Sequence, residues 1–244
     1  MPRTVAAETL DHLAPDDPAA RRSRRDLVRV HRFMRTRSIV SSGWRELVMV
    51  QRGGQPLRIL EIGAGDGSLL LGVAQAMAPN WPPVHLTLLD RQDIVSPATL
   101  AGYAALGWTA QVHVADVLAW ADGPERGAAS RAWPRWDLIT TSLFLHHFKG
   151  RQLGRLLEAV AAQTDRFFAC EPKRSWLPLA GSHLVGAIGA NAVTREDAVL
   201  SVHAGFRDQE ITALWPAASR TWQTREFAAG PFSHCFIAQR TEGE

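Results

Sequence analysis

Three carboxylates and three glycines in this chain have the types and spacing that bind a charged small molecule. Glu61, Asp90 and Asp116 each close a short apolar run, and Gly63, Gly65 and Gly67 follow the first of them. Leu57–Ile62 reads as a buried parallel strand, and Ser68 to Met77 has helical spacing. A glycine turn between a strand and a helix aims backbone N–H groups at whatever lies above it, so it seats a cofactor. Pyrophosphate is a poor occupant. Glu61 stands two residues before Gly63, and Ser68 occupies the last glycine position of the dinucleotide pattern Gly-x-Gly-x-x-Gly. A ligand with positive charge suits these acids better. Asp90, 29 residues beyond Glu61, is placed to accept both hydroxyls of a ribose.

These residues need a sheet to bring them together. His85–Asp90, Gln111–Asp116, Trp136–Ser142 and Arg166–Glu171 read as strands two to five, and Thr221–Phe227 with Ser233–Gln239 as a closing hairpin. Ser96-Pro97 starts a helix running to about Leu106, and Gln152 to Gln163 forms another that buries Leu153, Leu156, Leu157 and Val160. Thr194 with Asp197 resembles a capping pair for a helix ending at His203, and Asp208 is read as the cap of a helix over Gln209–Trp215, stopped by Pro216. Residues 1–20, acidic and punctuated by proline, are expected to be mobile. Ser23 with Asp26 is read as the next capping pair, with Leu27, Val30, Phe33 and Met34 as the apolar stripe of its helix. A second helical piece, Trp44 to Val50, ends at Gly53-Gly54. Residues 1–54 are thus expected to form a tail and helical cap, or a lid in which Arg35 or Arg37 meets a carboxylate, and residues 55–244 the main domain.

At Glu61-Ile62-Gly63-Ala64-Gly65-Asp66-Gly67 the chain resembles the class I S-adenosylmethionine (SAM)-dependent methyltransferases, whose first motif is acid-x-Gly-x-Gly-x-Gly. Asp116-Val117 matches the family's adenine-reading pair, and Trp136-Asp137 its aromatic-Asp start of strand four. Leu143-Phe-Leu-His-His-Phe148 resembles the His-bearing loop of the subgroup that includes ubiquinone- and menaquinone-type methyltransferases. Glu171–Arg174 and Gly189–Arg195 look like a bacterial subgroup that tailors phenolic or polyketide-like secondary metabolites. The resemblance implies an α/β, Rossmann-like seven-stranded sheet of order 3-2-1-4-5-7-6 with strand seven antiparallel. It implies SAM as cofactor, S-adenosylhomocysteine (SAH) as product, and Cys170 and Cys235 as buried sheet neighbours. Carried over residue by residue, the cofactor site comprises Glu61, Gly63, Ala64, Gly65, Gly67, Asp90, Arg91, Asp116, Val117 and Ser142.

Composition sets the limits. No apolar run is long enough for a membrane span, the N-terminus lacks a signal-peptide core, and two cysteines suit a reducing cytoplasm. Residues 1–52 carry 11 arginines against six acids, leaving the remainder slightly acidic. No basic stripe interleaved with aromatics marks the catalytic half, so a nucleic-acid partner is not expected, nor a membrane or a bound metal. A monomer or homodimer acting on a small molecule is.

Methyl transfer from a sulfonium needs alignment and water exclusion, with a base only when the acceptor must lose a proton. His147, beside His146 at the tip of strand four, is a candidate base, as are His183 and His203 in the insertion 172–205 expected to build the acceptor pocket. His234 is a weaker candidate, while His12 and His31 precede the core. Trp176, Leu184, Ile188 and Val193 would supply apolar walls, with Asn191 and Arg195 as polar fixings. Thr141-Ser142-Leu143 replaces the Asn/Asp-Pro-Pro-aromatic motif of DNA and protein-glutamine methyltransferases, which favours oxygen, then carbon, over an amino group. The rivals are an RNA or protein methyltransferase, an idle SAM-binding partner subunit, and a nicotinamide oxidoreductase.

Overall fold

Runs rich in Leu, Ile, Val and Phe pair into one sheet in a computed structural model that describes residues 1–48, 55–123, 135–216 and 222–241. The strands are β1 (Leu57–Ile62), β2 (Val84–Asp90), β3 (Thr109–Val114), β4 (Leu138–Ser142), β5 (Arg166–Pro172), β6 (Trp222–Ala229) and β7 (Ser233–Arg240). Their order is β3-β2-β1-β4-β5-β7-β6, with β7 antiparallel to both neighbours and the first five strands parallel. This is the expected architecture. Val50, Gly53, Gly54 and Thr221, which figured in the expected boundaries, lie outside the described residues.

The strands are apolar on both faces because both faces are covered. In β5, Phe168 and Cys170 pack into one layer, while Phe167 and Ala169 pack into the other. The first layer holds α2 (Thr36–Leu47), α3 (Ser68–Met77) and α4 (Pro97–Ala104); the second holds α5 (Val117–Asp122) and α6 (Gly150–Gln163). Cys170 and Cys235 face each other across β5 and β7 as buried free thiols, and their mutual hydrogen bond together with burial pushes the Cys235 thiol well above its usual range. The remaining helices, α1 (Pro18–Met34), α7 (Trp176–Leu184) and α8 (Ala192–Ala204), gather beyond the C-terminal ends of the parallel strands and roof the cavity there.

Several local expectations fail, and for a shared reason. Helix α1 begins at Pro18, where Asp17 accepts the N–H groups of Ala19 and Ala20, and not at Ser23. Ser23 and Asp26 are buried mid-helix and bond across to α8: Ser23 Oγ lies 2.8 Å from Thr194 Oγ1, and Asn191 N–H donates to Asp26 at 2.8 Å. Asn191, not Thr194, caps α8. Asp197 accepts the N–H groups of Thr9 and Leu10 at 2.8 and 2.9 Å. Polar residues three apart resemble a capping pair, but here tertiary contacts use them. Residues 209–215 form turns and a short 3-10 segment, Thr212–Leu214, after Asp208 at φ +54°, so the expected α-helix is absent. Asp116 ends no strand: it follows β3 and caps α5, a helix the pattern did not reveal.

The N-terminal segment, expected to be mobile, makes tertiary contacts along the domain. Arg3 donates to the carbonyls of Ala204 (2.7 Å) and Phe148 (2.8 Å) and lies over the Phe206 ring, and Thr4 N–H donates to the His203 carbonyl. Residues 1–17 therefore cross the cavity as a strap, sewn to α8 and to the loop after β4.

Helix α2 lies tightly on the sheet. A Cβ added at Gly43 would stand 2.1 Å from the fully buried ring of Phe168, and Trp44 donates to Thr140. Gly→Ala inside a helix ordinarily stabilises by about 0.5–1 kcal/mol. Gly43→Ala is expected instead to cost about 1–3 kcal/mol by overpacking, read as a lower midpoint in urea unfolding.

Candidate functional site

The glycine turn is pinned at both ends. Gly63 and Ala64 N–H groups donate to the Leu89 carbonyl at 2.9 and 3.1 Å, and the Tyr103 hydroxyl donates to the Gly67 carbonyl at 2.8 Å. Gly63 is obligatory: its φ is +72°, and a Cβ there would meet the Phe144 ring at 2.3 Å. Between these ends, Gly65 N–H donates to Asp90 Oδ2 at 2.8 Å, and Gln92 N–H to Asp90 Oδ1 at 2.9 Å.

The expected cofactor residues come together. Glu61, Gly63, Ala64, Gly65, Asp90, Arg91, Asp116, Val117 and Ser142 line a single cavity of about 700 Å³. Gly67 sits outside that lining, in the left-handed turn that starts α3. Asp116 uses Oδ1 to accept the N–H groups of Leu118 and Ala119. Glu61 differs from the other acids. It is 3% exposed, and its Oε2 has no hydrogen-bond partner among the described residues. Burial, with like charge from Asp90 and Asp66, pushes its carboxyl well above the usual carboxylate range. A buried acceptor without a donor fits a cationic group, whose charge would compensate it.

The loop after β4 forms the opposite wall. Leu143 adopts φ +54°, and the loop then wraps a carboxylate: Glu171, fully buried at the end of β5, accepts the N–H groups of Phe144 (3.1 Å), Leu145 (2.9 Å) and His146 (3.3 Å), and pairs with His146 Nδ1 at 2.9 Å. His146 Nε2 meets Glu8 of the strap at 3.3 Å. Burial pulls the His146 imidazole down, but its hydrogen bonds to Glu171 and Glu8, with their charges, carry it to about 9. His147 goes the other way. Burial, then the charge of His146, lowers it, while its Nδ1 lies 3.3 Å from Asp11 of the strap. The two imidazole centroids are 4.2 Å apart, one held cationic and the other neutral.

Of the three candidate bases, only His147 lines the cavity. His183 is exposed on α7, and His203 is half-buried near the C-terminal end of α8, outside the lining. His234 is buried against Glu226 at 2.6 Å. The insertion contributes walls through Pro178, Ser182 and Val185; Trp176 and Leu184 point to solvent, Asn191 is spent as a cap, and the Ile188 side chain lies outside the described residues. Val193 and Arg195 are absent from the lining. Sequence reasoning missed Glu8, Asp11, His12 and His31, all of which line the cavity. Burial lowers the His31 imidazole to about 4, so it stays neutral in the roof. Glu171 had a usable signal, since it closes a strand as Glu61 and Asp90 do; the strap residues had none.

No family model and no curated protein matches this sequence. Solved structures do match in shape. The plantazolicin methyltransferase BpumL, in complex with SAH, aligns over 92% of this chain and 91% of its own at 15% identity and a TM-score of 0.56. Another plantazolicin methyltransferase, BamL, in complex with a desmethyl-plantazolicin analogue and SAH, aligns over 95% and 93% at 12% identity and a TM-score of 0.60. The mitomycin 7-O-methyltransferase MmcR aligns over 95% of this chain and 60% of its own at 17% identity and a TM-score of 0.56. With the strand order, these likenesses establish the class I SAM-dependent methyltransferase fold.

The raised His146 imidazole has a consequence for stability. Unfolded, it titrates near its ordinary value of about 6.5; folded, it holds its proton to about 9. The stabilisation it brings is therefore complete below about 6.5 and is lost as pH rises through the folded value. Calorimetric melting temperatures should fall across this window in the parent protein and fall less in His146→Gln. Parallel curves for the two would refute the assignment.

Proposed function

We propose that this chain is a SAM-dependent methyltransferase that transfers the methyl group to an oxygen, with a carbon as the second reading, of a small hydrophobic acceptor of phenolic or polyketide-like character. The observation that carries the reading is the buried Glu61 oxygen, without a donor, at the base of a cavity that also gathers Asp90, Asp116 and the glycine turn. Glu61 would face the cationic methionine end of the cofactor, Asp90 the ribose hydroxyls, and Asp116 with the Val117 N–H the adenine. SAM, when bound, supplies an electrophilic methyl on a sulfonium whose departure leaves a neutral thioether. The chain's own part is to position the acceptor and exclude water.

Leu27, Val30 and Met34 of α1 and Phe144 and Phe148 of the β4 loop give the acceptor space an apolar wall. An idle cofactor-binding subunit would have no use for such a wall beside the glycine turn. His147 is the candidate base. Being neutral, it can take the proton of a phenol, and Asp11 at its Nδ1 orients the ring. The mitomycin 7-O-methyltransferase among the matched structures is named for transfer to an oxygen, which supports an oxygen acceptor here, and the two free cysteines fit a cytoplasmic setting.

Titration calorimetry with SAM, SAH and NAD tests the seat. SAM and SAH should bind and NAD should not. Asp90→Ala should weaken SAM by more than about tenfold, since a lost charge-assisted hydrogen bond costs ~1.5–3 kcal/mol; unaltered affinity would place the seat elsewhere. For the base, a panel of phenols followed by mass detection of methylated product should show His147→Ala losing about 10²–10⁴ in kcat while SAM affinity is retained. Because its imidazole is lowered, kcat/KM should stay flat through neutral pH and fall only below the usual imidazole range. A fall on acidification that already begins at alkaline pH would exclude His147 as the base.

A further inference from the structure

Around the cavity mouth the surface is apolar where a folded chain ordinarily presents polar groups. Helix α7 carries apolar side chains both towards the cavity and towards solvent, with His183 exposed among the latter. Pro178, Ser182 and Val185 look into the cavity, while Trp176 is 74% and Leu184 67% exposed. Leu177, Gly181 and Leu184 share one helical face. A Cβ at Gly181 would touch the Phe232 ring at 3.1 Å, and that ring lies 5.4 Å from Phe33, itself 67% exposed on α1. The apolar rim thus runs without a break from α7 to α1.

Charge borders it. Phe33 ends a stripe of Arg22, Arg25 and Arg29, spaced three or four apart on one helix face. Arg22 and Arg25 are exposed and make no ion pair among the described residues; Arg29, which pairs with Asp26, also reaches to within 3.6 Å of a Cβ position at Gly189, just past α7. Scattered exposed hydrophobics need no explanation, but a contiguous apolar patch beside charges of one sign does.

We propose that this rim docks on an anionic lipid bilayer, so that the cavity mouth opens onto the phase in which a hydrophobic molecule concentrates. The guanidiniums meet lipid phosphates, and Trp176, Leu184 and Phe33 enter the interfacial layer, where large apolar and indole side chains are stable. The contact is peripheral: no helix is long and apolar enough to cross a membrane among the described residues. This departs from the sequence expectation of no membrane partner, which rested on the lack of a long apolar run, because the rim is assembled from two helices distant in sequence. A second copy of the chain suits the rim less well. An isologous contact would bring a second arginine set to the same interface, where like charges oppose association.

Co-sedimentation with vesicles tests this without cofactor or turnover, so its result is separate from that of the methyl-transfer reading. Vesicles of phosphatidylcholine are compared with vesicles in which roughly a third of the lipid is phosphatidylglycerol. Binding is expected to the anionic vesicles, about tenfold or more tighter than to the neutral ones, and to fall as salt rises. Arg22→Gln with Arg25→Gln, and separately Trp176→Ser with Leu184→Ser, should each lose about tenfold or more while near-UV circular dichroism stays that of the parent. No binding to anionic vesicles, or equal and salt-insensitive binding to both, overturns the proposal. So does a concentration-dependent dimer, lost in the Trp176/Leu184 variant, in a protein that ignores vesicles.

Discussion

In-register parallel pairing brings the ends of β1, β2, β4 and β5 to one edge of the sheet, and three of these strands carry a carboxylate there. Asp116, just past β3, adds a fourth. Acids brought together at the margin of an apolar core repel each other and lose solvation, so each needs a compensating partner. The partners differ. Asp90 takes backbone N–H groups from the glycine turn and its own loop, Asp116 takes the first N–H groups of α5, and Glu171 takes three N–H groups and an imidazolium. Glu61 keeps one oxygen without a donor. The compensated acids build the walls, and the uncompensated one leaves a buried acceptor in the cavity lining.

The same need for compensating partners holds the strap in place. Glu171 at the base of the β4 loop fixes His146, whose other nitrogen meets Glu8 and so draws the N-terminal segment over the cavity. Burial raises the cost of the Glu8 charge, yet the hydrogen bond and charge of His146 hold its carboxyl below the usual range. Asp11 then lies beside His147, and Asp197 on α8 receives the backbone of Thr9 and Leu10. Roof and floor of the cavity are therefore joined through one chain of charged hydrogen bonds. A neutral and a charged imidazole stand in contact because one is bonded to two carboxylates, whereas burial, then its neighbour's charge, lowers the other.

Covering the mouth with the N-terminal strap, α1 and α7 has a cost at the outer surface. Helix α7 turns Pro178 and Ser182 to the cavity and Trp176 and Leu184 to solvent. The exposed arginines of α1, Arg22, Arg25 and Arg29, give the neighbouring surface one sign of charge.

Much of the fold was readable from local pattern. Alternating and continuous apolar runs mark the strands, because each strand's burial is written in its own residues; the glycine turn is equally local, because Gly63 needs both its positive φ and its missing Cβ. The sheet order and the pairing of Cys170 with Cys235 came from the family resemblance, and the register agrees with them. Tertiary structure alone decided what depends on distant partners. Ser23, Asp26, Thr194 and Asp197 looked like helix caps, yet they bond between elements more than 160 residues apart. Glu8 and Asp11, in a stretch composed like a disordered tail, became walls of the site, while His183 and His203 fell outside it. A side chain's type and its near neighbours record its propensity, whereas the charge or donor that finally satisfies it is chosen by packing.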